Sequence, residues 1–248
     1  MQIGAQFYTI RDFCKTPESL SESLRKIADI GYTTVQLSGT CPYDPQWMAQ
    51  ELSKNGLKCV ITHTAPQKLT EETEQVCRDH DIIDCRYVGL GSYRFDDAQC
   101  TVDSFLQTYA PVMDKLSAAG KYFMYHNHAM EFAKTEGKTI LQQLAERTDS
   151  AKMGFTLDTY WVQVGGGDPA QWIERLNGRV PCIHLKDYSL GAKMAVVGEG
   201  NINFDRVFEM AEKADTRYML VEQDNCNGED PFDCLRRSYE FLLSRGFR

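Results

Sequence analysis

The sequence predicts an α/β fold: a (β/α)8 barrel in a single domain spanning residues 1–248. Three observations predict it. Short apolar runs alternate with longer amphipathic stretches along the whole chain, the pattern of parallel strands joined by crossover helices. The alternation repeats eight times in 248 residues, the size of such a barrel. Chemically versatile side chains gather at the C-terminal ends of the strand-like runs, the face on which these barrels carry their sites. A doubly wound open sheet is the competing architecture. It calls for fewer or unequal units, and no G-x-G-x-x-G follows an early strand.

IGAQFYT (3–9) reads as the first strand. TPESLSESLRKIADIG (16–31) follows as a helix, with Thr16 as N-cap, Pro17 in the first helical position and Gly31 where a terminating glycine belongs. TTVQL (33–37) is the second strand, and DPQWMAQELSKNG (44–56) the second helix. LKCVITH (57–63) precedes the helix TEETEQVCRDHD (70–81), and RYVGLG (86–91) the long helix TVDSFLQTYAPVMDKLSAAG (101–120). YFMYHNH (122–128) leads to TILQQLAERT (139–148), and MGFTLDTYW (153–161) to DPAQWIERLNG (168–178). VPCIHLKD (180–187) leads to NFDRVFEMAEKAD (203–215), and RYMLVEQD (217–224) to DPFDCLRRSYEFLLSRG (230–246). Thr16–Pro17, Asp44–Pro45, Asp168–Pro169 and Asp230–Pro231 should each start a helix of the outer ring. Each couples a capping side chain to a proline whose missing N–H is harmless in the first turn. GGGDP (165–169) reads as a flexible loop ending in the Asp168 cap, with a phosphate-binding loop as the lesser alternative.

Composition narrows the function. Apolar residues make up 42% and charged residues 25%, as in ordinary globular proteins. The formal charge of −8 argues against a nucleic-acid or anionic-membrane partner, both of which need a basic footprint. No run of about 18 apolar residues suggests a transmembrane helix. MQIGAQFYTIRDF lacks the basic and apolar regions of a signal peptide, so a cytoplasmic location is expected. The nine cysteines are scattered, with no C-x-x-C pair, which favours reduced thiols over a disulfide framework or zinc cluster.

The polar residues carry the chemistry. The first strand brings Gln6 and Tyr8, the second Gln36, and the third ends in His63. In FMYHNHAMEF, His126 and His128 are two apart and share a strand face, with Glu131 just beyond. The sixth strand ends in Asp158. The seventh ends in His184, followed by Lys186 and Asp187, and the eighth in Glu222, followed by Asp224. Each has a plain structural alternative: a loop cap for Asp158, a hydrogen-bonded barrel histidine for His184, a solvated amine for Lys186. Together, carboxylate and imidazole donors without cysteine suit one divalent ion such as Mn²⁺, Mg²⁺, Co²⁺ or Zn²⁺, which could polarise a carbonyl.

LDTYWVQVGGGDPAQWIERLNGRVPCIHLKDY, followed by VVGEGNINF and LVEQD, resembles the xylose-isomerase-like TIM-barrel superfamily of sugar (and sugar phosphate) isomerases and epimerases. GAQFYTIRD, ADIGYTTVQLSG and YHNHAMEF extend the resemblance over nearly the whole chain. It implies one divalent ion held by a glutamate, an aspartate, a histidine and a glutamate on strands five to eight. The last three match Asp158, His184 and Glu222. His126 takes the place of the first, as fourth ligand or base, and Glu131 could reach in instead. His128 would then contact the substrate or support the ligands. Trp161 and Leu190 stand where family epimerases often carry histidine and arginine, and Gln36 where a glutamate is frequent. The two-glutamate pair that passes a proton between faces is therefore incomplete. Trp161, Tyr8 and Phe132 could stack on a sugar ring or simply close the barrel top. Glu199, between two glycines, either shapes a tight loop or hydrogen-bonds a ligand or Lys186.

The resemblance implies an enzyme acting on a small sugar or polyol by proton abstraction next to a carbonyl through an enediolate, giving isomerisation or epimerisation. Glu222 would be the leading base with His126 or Glu131 as partner, and Lys186 would stabilise the oxyanion. Expulsion of a β-substituent would make the same site a lyase or dehydratase on a keto-sugar or inosose. An endonuclease-IV-like phosphodiesterase needs a histidine-rich multi-metal cluster that five histidines cannot supply. A non-catalytic sugar-binding barrel is the remaining class. Homo-oligomers are possible.

Overall fold

In the computed structural model, which describes residues 1–248, the alternation becomes a closed barrel. β1 (Gln2–Gln6) leads through a 3-10 segment (Phe7–Phe13) to α1 (Pro17–Ile30), and β2 (Thr34–Leu37) to α2 (Pro45–Lys54). β3 (Lys58–His63) is followed by α3 (Pro66–Glu71) and α4 (Thr73–Ile82), β4 (Tyr87–Leu90) by α5 (Val102–Ala118), and β5 (Tyr122–His126) by α6 (Ile140–Arg147). β6 (Met153–Asp158) is followed by α7 (Thr159–Val164) and α8 (Pro169–Arg175), β7 (Cys182–Leu185) by α9 (Phe204–Lys213), and β8 (Tyr218–Val221) by α10 (Pro231–Ser244). All eight strands are parallel and pair in chain order. β8 returns to β1 in the register Gln2↔Tyr218 to Ala5↔Val221, so no strand edge is left open. No helix is long and apolar enough to cross a membrane, and the nine cysteines are free thiols.

All four capped prolines start helices. Thr16 accepts from Ser19 N, Asp44 from Trp47 N, Asp168 from Gln171 N, and Asp230 from Phe232 N and Asp233 N. Gly31 closes α1 at φ +119°, and a Cβ there would lie 2.6 Å from the Tyr239 ring.

Two apolar cores follow from strand alternation. The larger fills the space between strands and helices, with Leu24, Phe105, Phe155 and Trp172 among its members. The smaller includes Ile61, Tyr87, Tyr122, Met124, Cys182 and Leu220, the inward positions of β3, β4, β5, β7 and β8. Tyr87 stands edge-to-face to Tyr122 and Tyr218 near the strand starts. One further step of alternation places His63, His126, His184 and Glu222 above this plug, at the C-terminal mouth.

The structure corrects several sequence boundaries. The first strand stops at Gln6 rather than Thr9, because the Gln6 side chain accepts from Tyr8 N and turns the chain into the 3-10 segment. Tyr8 therefore leaves the barrel wall. β5 stops at His126, so His128 is not on the ladder. β6 stops at Asp158, whose side chain caps α7 and puts Trp161 on that helix. The third crossover contains two helices, since Pro66 starts one of its own. Small hairpins also form at Lys134–Thr135 with Lys138–Thr139, and at Asp187–Ser189 with Lys193–Ala195.

Candidate active site

Asp158 splits its carboxylate between two tasks. One oxygen accepts from Trp161 N at 2.9 Å and caps α7. The other lies 3.3 Å from His126 Nε2, 3.5 Å from Lys186 Nζ and 3.7 Å from His184 Nδ1. Glu222 is divided likewise. Oε1 accepts from Gln6 Nε2 at 2.7 Å, while Oε2 is 2.9 Å from His184 Nδ1 and 3.4 Å from Lys186 Nζ. His126, Asp158, His184 and Glu222 are all buried, and each offers one donor atom within 4.8 Å of the others.

Outer partners set both imidazoles. His126 Nδ1 is 2.9 Å from the Gly91 carbonyl, which can only accept, so Nε2 is the nitrogen turned toward Asp158. His184 Nε2 donates to Gln36 Oε1 at 2.7 Å, which turns Nδ1 toward the two carboxylates. That Nδ1 is buried without a hydrogen-bond partner, although Glu222 Oε2 is only 2.9 Å away. Two oriented imidazole nitrogens facing two carboxylate oxygens fit a divalent cation, with histidines held from behind as metal ligands usually are.

Electrostatics follow from burial and proximity. Burial opposes charge on Asp158 and Glu222, but the Lys186 ammonium outweighs it, aided at Asp158 by His126 and at Glu222 by His184, and holds both carboxyls well below their usual range. The same carboxylates overcome burial at His184, lifting it to about 9, and raise Lys186. Asp224 accepts from Lys186 Nζ at 2.7 Å, yet burial and the Glu222 charge push it up to about 6. His63 is driven down by burial and by the other imidazoles, and His128 to about 3 by burial and His126.

Most of the sequence-predicted residues meet here. The His63 ring centroid is 5.2 Å from that of His126 and 5.7 Å from that of His184. His128, carried by the loop after β5, remains 4.7 Å from His126 and 5.2 Å from Trp161. Lys186 lies 5.2 Å over the Trp161 ring. Four of the expected residues lie apart from the cluster. Glu131 is buried and accepts from the Tyr125 hydroxyl and, at 2.8 Å, from His128 N, so it braces the His128 loop and is not one of the four clustered donors. Glu199 is exposed and pairs with Arg237 of α10 at 3.2 Å, not with Lys186. Tyr8 is 38% exposed under the Arg11 guanidinium, and Phe132 packs on Trp172; neither touches the cluster.

Sequence reasoning missed the supports. Asn127 Oδ1 accepts from Asp158 N at 3.0 Å, and Thr159 Oγ1 bridges to the Lys186 backbone. Asp224, already marked in the sequence just beyond Glu222, joins these supports by pairing with Lys186. Asp187 turns away from the site to anchor its own loop.

Comparison with known proteins follows the same line. Residues 24–244 match the family model of the xylose isomerase-like TIM barrel. An inosose dehydratase from Geobacillus kaustophilus (strain HTA426) is 24% identical over 245 residues, 81% of this chain and 79% of that protein. The fold superposes on a sugar phosphate isomerase/epimerase from Parabacteroides distasonis ATCC 8503 with a TM-score of 0.83 at 21% identity, covering 98% of this chain and 93% of the other. It also superposes on the probable 3-DHS dehydratase of petrobactin synthesis from Bacillus anthracis, with a TM-score of 0.75 at 15% identity over 99% and 100% of the two chains. The match runs from α1 to the end of α10, and the chain belongs to the xylose isomerase-like TIM barrel family.

Proposed function

We propose that the chain is a metal-dependent enzyme that removes a proton from the carbon beside the carbonyl of a sugar or cyclic polyol and redelivers it, giving isomerisation or epimerisation. The observation that carries this reading is the buried meeting of His126, Asp158, His184 and Glu222 with the Lys186 ammonium. A divalent ion held by those four residues would polarise the substrate's carbonyl oxygen. Glu222 is deprotonated at neutral pH, as a base must be, and Gln6 fixes its orientation. Lys186 stays charged in a nearly dry site and so stabilises negative charge developing on the substrate.

Glu131 is spent on the loop, so Glu222 and His126 are the remaining base candidates. Inversion needs proton donors on both faces of a planar carbon. If His126 is a ligand, one carboxylate serves one face, which favours aldose–ketose isomerisation over inversion. The same one-base arrangement supports a second reading, elimination of a β-hydroxyl, favoured by the Lys186–Asp224 pair as a proton source and by the likeness to an inosose dehydratase.

The test is incubation of the Mn²⁺-loaded protein in D₂O with ketoses, inososes and 3-keto-sugars. Deuterium should enter the carbon beside the carbonyl, and Glu222→Gln should cut turnover by roughly 10²–10⁴-fold. Full exchange in Glu222→Gln would overturn the reading. Loss of water from the product would select elimination. His126→Ala should lower metal occupancy if His126 is a ligand; retained metal with lost exchange makes it the second base.

A further inference from the structure

Seven of the eight buried side-chain polar atoms without a hydrogen-bond partner belong to residues of the barrel's upper lumen and mouth. Buried polar groups are almost always paired, so this concentration points to a ligand. His184 Nδ1 belongs to the metal-binding set, and Thr156 lies one inward step below Asp158. Five atoms remain: the Gln36 amide nitrogen, the Trp161 indole nitrogen, one ring nitrogen each of His63 and His128, and Asp224 Oδ1. They comprise N–H donors, a carboxylate acceptor and imidazole nitrogens able to serve either way. Hydroxyl groups, which both give and take, match that mixture.

A phosphate ester does not. It brings about −1.5 to −2 charge and only acceptor oxygens at neutral pH, and calls for cations or free backbone N–H groups. Lys186 already faces carboxylates at 2.7 Å (Asp224), 3.4 Å (Glu222) and 3.5 Å (Asp158). The free oxygen of Asp224 would repel an anion. Barrels often bind phosphate in the loops after strands seven and eight. Here the amide cradle after β7 holds the chain's own carboxylate: Asp187 accepts from Tyr188 N at 2.8 Å, Gly200 N at 2.9 Å, Gly198 N at 3.0 Å and Ile202 N at 3.2 Å. The fit is close, since a Cβ on Gly200 would lie 2.4 Å from Asp187 Oδ1. At the rim, Arg11 donates to the carbonyls of Tyr8 (2.8 Å) and Asp224 (3.1 Å) and lies over the Tyr8 ring, tying the 3-10 segment to the loop after β8.

Resting on the carbon-acid chemistry proposed above, we propose that the site takes an unphosphorylated, uncharged polyhydroxy carbonyl compound whose hydroxyls are read by Gln36, His63, His128, Trp161 and Asp224. The test uses the Mn²⁺-loaded protein and matched pairs of free and phosphorylated ketoses, with free inososes and inorganic phosphate alongside. Binding is followed by calorimetry and, separately, solvent-deuterium exchange by NMR. At least one free compound should bind saturably, its phosphate ester at least 100-fold more weakly, and millimolar inorganic phosphate should not compete. Trp161→Phe, which keeps an aromatic ring but removes the indole N–H, should weaken the free compound roughly tenfold. Tighter binding of the ester, with Arg11→Gln abolishing that preference, overturns the proposal, as does failure of every free compound to bind. Binding of a free compound without deuterium exchange upholds this substrate class and overturns the carbon-acid chemistry instead. Exchange on the ester alone does the reverse.

Discussion

Gln36 governs the chemistry of His184 without being a donor to any ion. Its amide oxygen takes the Nε2 proton and leaves Nδ1 for the site. Gln36→Leu should leave the fold intact and lower Mn²⁺ affinity by roughly 10–100-fold, measured by calorimetry, as loss of such outer partners usually does; unchanged affinity would remove Gln36 from the metal account. A second histidine bears on stability. His80 is buried between Val76 O (2.7 Å) and Thr62 Oγ1 (2.9 Å), and burial lowers it from 6.5 to about 4. In that window the unfolded chain binds the proton and the folded chain does not. Stability is therefore fully present above about pH 6.5 and is lost as pH falls toward 4, by roughly 3 kcal/mol for this group. Urea unfolding of His80→Gln should show a flatter decline over the same range, and an unchanged slope would assign the acid sensitivity elsewhere.

At the scale of elements, the site is set by how strands end and helices begin. Asp158 terminates β6, caps α7 and presents its second oxygen to the cluster, so the backbone that makes the helix also aims the carboxylate. Asp230 is a cap without a site role, accepting from Phe232 N at 2.8 Å and Asp233 N at 3.1 Å. Asp230→Ala should cost about 1 kcal/mol, or roughly 3 °C in Tm, with deuterium exchange unaffected. Asp187 organises a whole loop through four amides, and Asp187→Ala would strand them. Hydrogen exchange at Gly198, Gly200 and Ile202 should then accelerate while the barrel strands stay protected; unchanged exchange would mean the loop is held by other contacts.

At the scale of the molecule, closure matters most. Gln6 and Glu222 are 216 residues apart in sequence and become neighbours because β8 pairs with β1. Beneath them, Met124 and Leu220 fill the lumen and are fully buried. Truncating either to alanine leaves a cavity under the site and should cost about 2–5 kcal/mol, lowering Tm by roughly 5–15 °C. Thermal denaturation checks this, and a shift under 2 °C would show that the lumen does not support the barrel as argued.

The sequence by itself determined the eight strand–helix units, the four capped prolines, and the placing of Asp158, His184 and Glu222 at or beside strand ends, because period, capping and strand alternation act over a few residues. It also marked His126 and Lys186 for the site. It did not determine where β1 and β6 stop, since side-chain caps from Gln6 and Asp158 compete with the ladder there, nor that β5 stops at His126. Nor did it determine the destination of each polar side chain. Glu131 and Asp187 are of ligand type and near the right strand ends, yet one is bound by Tyr125 and His128 and the other by the amides of its own loop. Gln36 and His184 meet across 148 residues, after a register shift between Val35 and Gln36 where β2 pairs with β3. Such pairings depend on barrel closure and strand register, and these are set by the packing of all eight strands at once rather than by any local run of residues.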